Sequence, residues 1–559
     1  MKLQFDANQD YQLQAIDAIT GIFEGQPLNA ANTSFYFDKE DTLKLISGVG
    51  NNLILSEEQI IKNLKTIQEG NEIPVSESFE GMNFSVEMET GTGKTYVYLR
   101  TIYELSRQFG FRKFVIVVPS VAIREGVLKN LQITHEHFQG IYNKTPLNFQ
   151  VYDSKRISNL RSFATNNNIE ILVINIDSFA KDENIINRPN DKLTGQCPVE
   201  FIQATNPVVI VDEPQNMETA IRKQAITNLN PLCTLRYSAT HLNPYNLVFS
   251  LNPVKAYDLG LVKQIEVDSV ISENSSNQAF ISVESTTATK TKVSAKIKID
   301  TNTGSRVKKK SVSVRVGDDI YDLSNEREIY KEGYIVEEID VSNQCITLSN
   351  SSVLYVGDSQ AGMTDEIMKF QIRKTIEEHL KKEKRLNPKG IKVLSLFFID
   401  RVSNYRSYDD SGNPVPGKFA IWFEEIYNDY ISQPAFDELN RYEVSKVHNG
   451  YFSADRKGFF KDTSGETQAD DDTYKLIMQD KEKLLDIKNP LRFIFSHSAL
   501  REGWDNPNVF QICTLNETKS DIKKRQEIGR GLRLSVNQQG IRSYDRNINR
   551  LTVVANEAY

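Results

Sequence analysis

The sequence predicts an α/β protein with two doubly wound parallel-sheet domains and a small antiparallel β insertion. Two series of short apolar runs end in polar turns, as in "KFVIVVPS" and "NPVVIVDEP" early in the chain and "IKVLSLFFIDR" later. These runs are continuously apolar rather than alternating, which favours strands of a parallel sheet that is covered on both faces. Between the two series, alternating Ser, Thr and Val residues, as in "KKKSVSVRVGDDIYDL", predict the antiparallel insertion.

The length of 559 residues exceeds what one hydrophobic core supports and predicts roughly three or four domains. From the changes in pattern along the chain, we expect an N-terminal region over residues 1–81 and a first α/β domain over 82–262. The β-rich insertion would cover 263–357, and the second α/β domain would cover 358–559. Ligands of such sheets sit outside the carboxyl ends of the strands, so motifs at strand ends are the candidates for function.

Composition and cysteine spacing exclude several classes of protein. Hydrophobic residues make up 39% of the chain and charged residues 25%, as in ordinary soluble globular proteins. The N-terminus has no apolar signal-peptide core, and no apolar run approaches the roughly 18 residues that span a bilayer. Four widely spaced cysteines without a C-x-x-C pair argue against a zinc site or a disulfide framework. We therefore expect a cytoplasmic protein without membrane contact, whose net charge of −7 leaves nucleic-acid binding to local basic surfaces.

The stretch "METGTGKT" follows an apolar strand and precedes a helix-like run, which is the setting of a phosphate-binding loop. Its glycines would let the backbone turn N–H groups toward an anion at a helix N-terminus. Lys94 would reach the β- and γ-phosphates of ATP, and the Thr95 hydroxyl would bind Mg2+. Met88 replaces the first glycine of the strict pattern, and the alternative is a glycine-rich turn with an incidental lysine. We expect the phosphates to be bound by Thr90, Gly91, Thr92, Gly93, Lys94 and Thr95.

Two adjacent carboxylates, Asp212 and Glu213, follow the apolar run "PVVIV" and precede a proline. In phosphate-loop ATPases a second strand end supplies an Asp that holds Mg2+, and Asp212 fits this role. Glu213 would then orient or deprotonate the attacking water. A divalent cation would make the adjacent charges useful rather than merely repulsive. The alternative is a solvated acidic strand end.

The segment "KKRQEIGRGLRL" carries Gln526, Arg530 and Arg533 in a basic, helix-like setting. The two arginines are three residues apart and would share one face of a helix. The planar fork of an arginine suits a γ-phosphate and stabilises the charge that develops as this group leaves. The alternative is a solvated basic face.

The ordered motifs of the chain resemble those of the superfamily 2 helicases and translocases. The motifs are "YQLQA", "TGTGKT", "VVPSVAIREGV", "DEPQ", "SAT", "SALREGWDNP" and "QEIGRGLR". Within this superfamily, "DEPQ", "METGTGKT" and the opening "KLQFDANQDYQLQAI" resemble the Res subunits of type III restriction–modification enzymes. The resemblance covers nearly the whole chain, is weakest across the β insertion, and implies a RecA-like fold for both α/β domains.

The resemblance also implies roles for residues around the nucleotide. Gln12 would read the adenine edge, with Phe5 or Tyr11 packing on the base. Ser238 and Thr240 of "SAT" would couple the state of the nucleotide to domain motion. ATP held between two lobes would bind the closed arrangement best, so that hydrolysis would release it.

The resemblance places a DNA track on the face built by "PSVAIRE" and "SALRE". Its candidates for contacts with the DNA backbone are Ser120, Arg124, Ser498 and Arg501; the alternatives are capping serines and surface arginines. The basic stretch "KTKVSAKIKIDTNTGSRVKKKSVSVRV" could bind DNA through counterion release. A solvated edge strand guarded by lysines explains it equally well, and docking of a partner subunit is a third alternative.

The leading hypothesis is an ATP- and Mg2+-dependent translocase that acts on double-stranded DNA together with a Mod methyltransferase subunit. Res subunits carry a nuclease domain after the motor, whereas this chain stops at "RLTVVANEAY", so we expect a motor that does not cut DNA by itself. One alternative is another superfamily 2 motor, such as a type I restriction motor or a repair helicase. Another is an interaction module that binds ATP as a switch with negligible turnover.

Overall fold

The computed structural model describes most of the chain. The described residues are 4–28, 32–37, 46–193, 195–270, 280–288, 292–303, 306–327, 330–331, 333–349, 352–357, 359–360, 365–409, 411–452, 483–497, 506–515 and 521–556. Their α-helices are Asp10–Gly21, Glu57–Gly70, Lys94–Phe109, Val121–Ile141, Asn159–Thr165, Pro198–Gln203, Ala220–Asn228, Pro253–Asp258, Ile320–Leu323, Asp365–Leu386, Lys418–Ile431, Val444–Val447 and Asp521–Gly529. Within this part of the chain, none of the helices has the length and apolar character needed to cross a bilayer.

The first large sheet has seven strands, which are all parallel. In spatial order they are Leu147–Val151, Ile169–Asn175, Lys113–Val118, Val208–Asp212, Cys233–Ser238, Asn83–Met88 and Leu247–Leu251. Alternate side chains of one strand enter two different cores: Val115 and Val117 pack on one face, and Ile116 and Val118 on the other. Both faces are therefore covered, which explains why these strands are apolar throughout.

The second large sheet has six parallel strands and the same construction. Its spatial order is Gln264–Val270, Arg550–Asn556, Val509–Leu515, Leu394–Ile399, Phe493–Ser496 and His448–Tyr451. Leu396 and Phe398 pack on one face, whereas Phe397 and Ile399 pack on the other. The predicted fold class is thus confirmed: two doubly wound parallel sheets of the RecA-like type.

Two small antiparallel sheets follow the strand Gln264–Val270 along the chain and precede the other strands of the second large sheet. They have a core of their own, which includes Ile297, Ile299 and Ile346. One sheet consists of Arg306–Val314, Val293–Thr303, Ile281–Ala288 and Ser359–Gln360, and another of Val336–Asp340, Cys345–Leu348 and Val353–Tyr355. Two further pairs are Asn32–Phe37 with Ile46–Asn51 and Arg406–Tyr408 with Pro414–Pro416. The predicted antiparallel insertion is therefore present.

One strand within the range predicted for the insertion lies elsewhere. Gln264–Val270 pairs in parallel with Arg550–Asn556 at the edge of the second large sheet. An edge strand is paired on one side only, and Ile265 and Val267 of this strand are exposed, so it lacks the continuous apolar burial of its neighbours. The sequence between 263 and 270 consequently looked like part of the β-rich stretch that follows it.

The N-terminal region packs directly on the first sheet. Ile16 and Ile19 of the first helix share a core with Phe84 of the strand that precedes the phosphate loop. Asn51 is fully buried; its side-chain amide donates to the carbonyl of Lys113 over 2.8 Å, and its carbonyl oxygen accepts from the amide of Arg112 over 2.8 Å. The apolar contacts hold the first helix against the sheet, and the Asn51 hydrogen bonds hold the strand Ile46–Asn51 beside the start of the strand Lys113–Val118.

A buried ion pair supports the second sheet from the helix Asp365–Leu386. The Nε of Arg492 donates to Oε1 of Glu383 over 2.6 Å, and the His379 ring lies 3.4 Å from Oε2 of the same carboxylate. Burial alone would raise the pKa of Glu383, but the hydrogen bond from His379 and the charge of Arg492 lower it to about 2. The carboxylate is thus kept charged inside the protein by its partners.

We expect the substitution Arg492→Met to lower the free energy of unfolding by about 3–5 kcal/mol, because it leaves the Glu383 charge buried without a cation. The matched control is the double variant Glu383→Gln with Arg492→Met, which removes both charges and should cost less. Chemical denaturation checks both. The folded pKa of Glu383 lies below its unfolded value of about 4.3, so the wild-type advantage should be complete above that pH and disappear as the pH falls toward 2. Equal losses in the single and double variants would contradict this account.

Candidate functional site

We call the α/β unit of the seven-stranded sheet the first lobe and that of the six-stranded sheet the second lobe. A cavity of about 590 Å³ lies between the carboxyl end of the first sheet and the second lobe. Its volume falls in the range of about 300–1,000 Å³ that is usual for small-molecule sites. The structure brings together on its walls the predicted residues Gln12, Thr90, Gly91, Gly93, Lys94, Thr95, Asp212, Glu213, Thr240, Gln526, Arg530 and Arg533. Residues that are more than 500 positions apart in the sequence therefore face one volume.

The predicted phosphate loop connects the strand Asn83–Met88 to the helix Lys94–Phe109. Gly91 and Gly93 have φ angles of +87° and +100°, which side chains other than glycine rarely adopt. A Cβ at Gly93 would lie 2.7 Å from Nε2 of Gln12, and one at Gly91 would lie 3.0 Å from Cγ of Arg533. The glycines thus serve close approach as well as backbone conformation, and the helix behind them presents its N-terminus to the cavity.

The two threonines of the loop have different positions. Thr90 lines the cavity, and its amide donates to Oε1 of Glu89 over 2.6 Å. Thr92 is buried, and its hydroxyl donates to the carbonyl of Glu89 over 2.7 Å, so its side chain holds the loop together rather than facing the cavity. Glu89, which the motif pattern did not single out, also lines the cavity, and burial raises the pKa of its carboxyl.

The two acidic residues of "DEPQ" meet Lys94 at the end of the strand Val208–Asp212. Nζ of Lys94 donates to Oε1 of Glu213 over 2.5 Å, and the Tyr98 hydroxyl donates to Oδ2 of Asp212 over 3.1 Å. Burial and the neighbouring Glu213 charge raise the pKa of Asp212 to about 7, against the effect of Lys94. For Glu213, burial acts upward, but Lys94 and the hydrogen bonds around the carboxylate lower the pKa overall. The charged form of Glu213 is thus favoured by its partners, whereas the charged form of Asp212 would be stabilised by a further cation.

Glu213 is held in place by a network that reaches the "SAT" motif. Its backbone has a φ of +54°, and its Oε2 accepts from Nε2 of Gln215 over 2.7 Å and from the Ser238 hydroxyl over 3.3 Å. The same hydroxyl lies 2.8 Å from Oε1 of Gln215 and accepts from the Thr240 amide over 2.9 Å. Gln215, the last residue of "DEPQ", therefore orients Glu213 through a hydrogen bond, a role that the sequence analysis did not predict.

The N-terminal motif contacts the phosphate loop. Nε2 of Gln12 and the hydroxyl of Tyr11 both donate to the carbonyl of Thr92, over 3.0 and 2.8 Å. Phe5 lines the cavity and stacks on the ring of Tyr96 at 5.9 Å, whereas Tyr11 is buried with its hydroxyl on the loop. Of the two aromatic candidates for the base, Phe5 is the one on the wall.

The second lobe contributes the opposite wall through the end of the helix Asp521–Gly529 and the turn that follows it. Gln526, Arg530 and Arg533 all line the cavity, and Arg530 is buried. A Cβ at Gly529 would lie 3.0 Å from Cγ2 of Thr90, so this turn rests directly on the phosphate loop. The cationic segment and the loop are consequently in contact across the lobes.

Further residues of the second lobe that the sequence analysis did not single out also line the cavity. Arg525 lies in the quoted basic segment, whereas Gly540, Ile541, Arg542 and Tyr544 lie outside every motif. The last four belong to a turn in which Asn537 accepts from the amides of Gln539 and Ile541, each over 3.0 Å. Only the exposure of two large side chains in a polar turn, Ile541 and Tyr544, distinguishes this segment.

The structure describes two of the four residues predicted to contact DNA, and their contact with DNA stays a prediction. Ser120 caps the helix Val121–Ile141 by accepting from the Ile123 amide over 3.3 Å, which is the capping role named as the alternative. Arg124 pairs with Glu125 at 2.9 Å and lines a separate cavity of about 760 Å³ on the first lobe. Ser498 and Arg501 lie outside the described residues. Of the basic stretch, Arg306–Val314 is an edge strand, in keeping with lysines that guard an edge.

The predicted ligands of Mg2+ suit that ion. Thr95 and Asp212 line the cavity together, and hydroxyl and carboxylate oxygens are the donors that Mg2+ prefers. The raised pKa of Asp212 indicates a buried carboxyl that a cation would stabilise in its charged form. Among the described residues, no group of three or more His, Cys, Asp and Glu side chains could hold a metal by itself. An ion here would therefore complete its shell with phosphate oxygens and water.

Comparison with known proteins gives related sequences over nearly the whole chain. Residues 9–243 match the family model for the type III restriction enzyme, res subunit. The EcoPI Res subunit of Escherichia phage P1 is 31% identical, over 97% of this chain and 56% of that subunit. The EcoP15I Res subunit of Escherichia coli is 32% identical over the same shares, and the StyLTI Res subunit of Salmonella typhimurium is 31% identical over 82% of this chain and 50% of that subunit. The chain spans about half the length of these relatives.

Among solved structures, the Mycobacterium smegmatis helicase Lhr bound to ssDNA and AMP-PNP superposes with a TM-score of 0.41 at 12% identity, over 86% of this chain and 44% of that one. The assignment of the fold rests on the strand order described above. The family assignment rests on the sequence relatives. The resemblance predicted from the motifs is confirmed: the chain is similar in sequence to type III restriction-enzyme Res subunits over 97% of its length.

Proposed function

We propose that the chain is the motor part of a type III restriction enzyme, which hydrolyses ATP between its two lobes to drive movement or switching on double-stranded DNA. The observation that carries this proposal is the composition of the shared cavity. One wall holds a lysine at a helix N-terminus and two carboxylates at a strand end, and the other holds four arginines from the second lobe, among them Arg530 and Arg533. Such an arrangement suits a triphosphate whose terminal phosphate touches both lobes.

Residues of the first lobe would bind ATP and prepare the nucleophile. Lys94 would exchange its contact with Glu213 for the β- and γ-phosphates, while the loop amides hold the phosphates at the helix N-terminus. Thr95 and Asp212 would hold Mg2+, which when bound neutralises charge on the β- and γ-phosphates. Glu213, oriented by Gln215 and Ser238, would take a proton from the attacking water.

Residues of the second lobe would complete the site only when the lobes are together. Arg530 and Arg533 would stabilise the charge on the leaving phosphate, and Gln526 would reach the same group. Loss of that phosphate removes the main reason for the lobes to stay together, which is the basis of a motor stroke. We also propose a cytoplasmic location, a Mod methyltransferase partner and four domains, with the strand Gln264–Val270 assigned to the second α/β domain.

The test of the proposed function is steady-state ATP hydrolysis with Mg2+ in the absence of nucleic acid, with duplex DNA and with single-stranded RNA. We expect duplex DNA to stimulate turnover most strongly, because the proposed track is double-stranded DNA. Stimulation together with strand separation would favour a helicase over a pure translocase. Negligible turnover under all three conditions, repeated with a Mod subunit present, would contradict the proposal and favour the ATP-binding switch.

We expect Glu213→Gln to lower kcat by about 10²- to 10⁴-fold, the scale of general-base catalysis, while nucleotide binding persists. The reason is that the amide cannot accept the proton of the attacking water. The comparison variant is Lys94→Ala, which should lower both turnover and affinity, since Lys94 would bind the phosphates directly. Turnover and the binding of a fluorescent ATP analogue measure the two effects. Unchanged turnover in Glu213→Gln would remove this residue from the mechanism.

We expect Arg530→Ala to reduce turnover by about 10³-fold, the scale of arginine-finger effects, with a much smaller change in nucleotide affinity. An arginine that acts on developing charge contributes to the transition state more than to the bound substrate. The control is Arg441→Ala, an exposed arginine of the same lobe whose Nε donates to a carbonyl on the surface. Parallel losses of affinity and turnover in Arg530→Ala would instead indicate ordinary phosphate binding.

A further inference from the structure

The chain crosses from the first lobe to the second immediately before Lys263. The helix Pro253–Asp258 belongs to the first lobe, and the strand Gln264–Val270 belongs to the second sheet. At the crossing, the backbone pairs with the arginine segment: Val262 bridges Arg533, and the amide of Lys263 donates to the carbonyl of Leu532 over 2.9 Å. The connector between the lobes and the segment that carries Arg530 and Arg533 are therefore one paired unit.

The side chain of Lys263 turns inward and binds carbonyls of two segments of the second lobe. Its Nζ donates to Gly531 and Arg533 over 3.0 and 2.5 Å, and to Pro507 and Val509 over 2.6 and 2.9 Å. Lys263 is 1% exposed. We call residues 530–533 the arginine turn. Two of the four acceptors, Gly531 and Arg533, belong to this turn, so the ammonium group joins it to the strand Val509–Leu515.

A buried ammonium group constrains the backbone around it. Burial lowers the pKa of Lys263 well below its usual range, and the charges of Lys382 and Arg533 act in the same direction. The three N–H groups of the ammonium share these four carbonyls, so a displacement that removes the two carbonyls of either segment leaves a buried donor unsatisfied. Within the turn, the amides of Arg530, Gly531 and Leu532 make hydrogen bonds of 3.3, 2.9 and 3.3 Å to carbonyls three positions earlier. Lys263 adds contacts that join this turn to another segment of the second lobe.

We propose that Lys263 is a positioning residue, which fixes the arginine turn to the connector so that Arg530 and Arg533 keep their place as the lobes close. This inference rests on the proposed function for its effect on turnover. It differs from a purely stabilising role because two of the carbonyls that Lys263 holds belong to Arg533, which lines the cavity, and to Gly531, which follows Arg530. Misplacement of a catalytic group by about 1 Å lowers the rate of the chemical step by a factor on the order of 10².

The same sheet offers a matched control. Lys382 is also buried, and its Nζ donates to the carbonyls of Phe510 and Arg550, each over 3.1 Å, and to the hydroxyl of Thr552 over 2.7 Å. None of these acceptors belongs to the arginine turn. Replacement of Lys382 removes a comparable buried ammonium group from the same lobe without releasing that turn.

The experiment compares wild type, Lys263→Met and Lys382→Met by single-turnover hydrolysis of labelled ATP, by binding of a fluorescent ATP analogue and by thermal unfolding. We expect both variants to be less stable, but only Lys263→Met to lose about 10²-fold in turnover with nearly unchanged nucleotide affinity. In an Arg530→Ala background, Lys263→Met should cost far less than in wild type, because two changes that act through one group are not additive. Equal turnover losses in the two lysine variants, or full additivity with Arg530→Ala, would overturn the proposal.

Amide hydrogen exchange gives a readout that does not depend on turnover. Peptides that cover the arginine turn should exchange faster in Lys263→Met and at the wild-type rate in Lys382→Met. Unchanged exchange in Lys263→Met would overturn the proposal even if wild type proved inactive, whereas inactive wild type alone would overturn only the proposed function. If Lys263→Met does not fold, Lys263→Gln, which keeps a shorter donor, takes its place with the same expected direction.

Discussion

The contact between Lys94 and Glu213 is the interaction on which the rest of the site depends. The strands that precede these residues, Asn83–Met88 and Val208–Asp212, are not neighbours, because Cys233–Ser238 lies between them in the first sheet. Lys94 spans that gap from the start of its helix, and Ser238, at the end of the intervening strand, binds the same carboxylate. Three strand ends are thereby joined around one acidic side chain, and motifs that are distant in sequence become one electrostatic unit.

The two lobes approach each other closely at two glycines. Gly91 lies against Arg533, and Gly529 lies against Thr90, in each case so closely that a Cβ would reach 3.0 Å. Each lobe therefore contributes a glycine at the point where the other lobe touches it. The glycines of the two motifs do not serve phosphate binding alone, because they also set how near the arginines come to the loop.

The sequence was sufficient for those parts of the molecule in which local pattern and chemistry agree. Strands such as Lys113–Val118 are buried on both faces, so their apolar runs identified the parallel sheets. Edge strands lack this signature, and Gln264–Val270 was accordingly grouped with the insertion. The common location of Lys94, Asp212 and Arg530 at one cavity could be predicted because a lysine, a carboxylate and an arginine in these motifs are typical of a nucleotide site. The places of Gln215 and Tyr544 at the site could not be predicted, because they depend on tertiary contacts that produce no periodic pattern in the sequence.

The charges of the site also indicate why hydrolysis would wait for the nucleotide. In this structure Lys94 is the main group that offsets burial and lowers the pKa of Glu213, so this carboxylate is a weak base. Phosphates that take the Lys94 donors would remove that effect, and the pKa of Glu213 would rise toward the value at which a general base works best. Gln215 and Ser238 would still hold the carboxylate in orientation, because neither contact depends on Lys94. In the proposed mechanism, the Lys94–Glu213 ion pair is therefore also the contact whose exchange would raise the pKa of the general base.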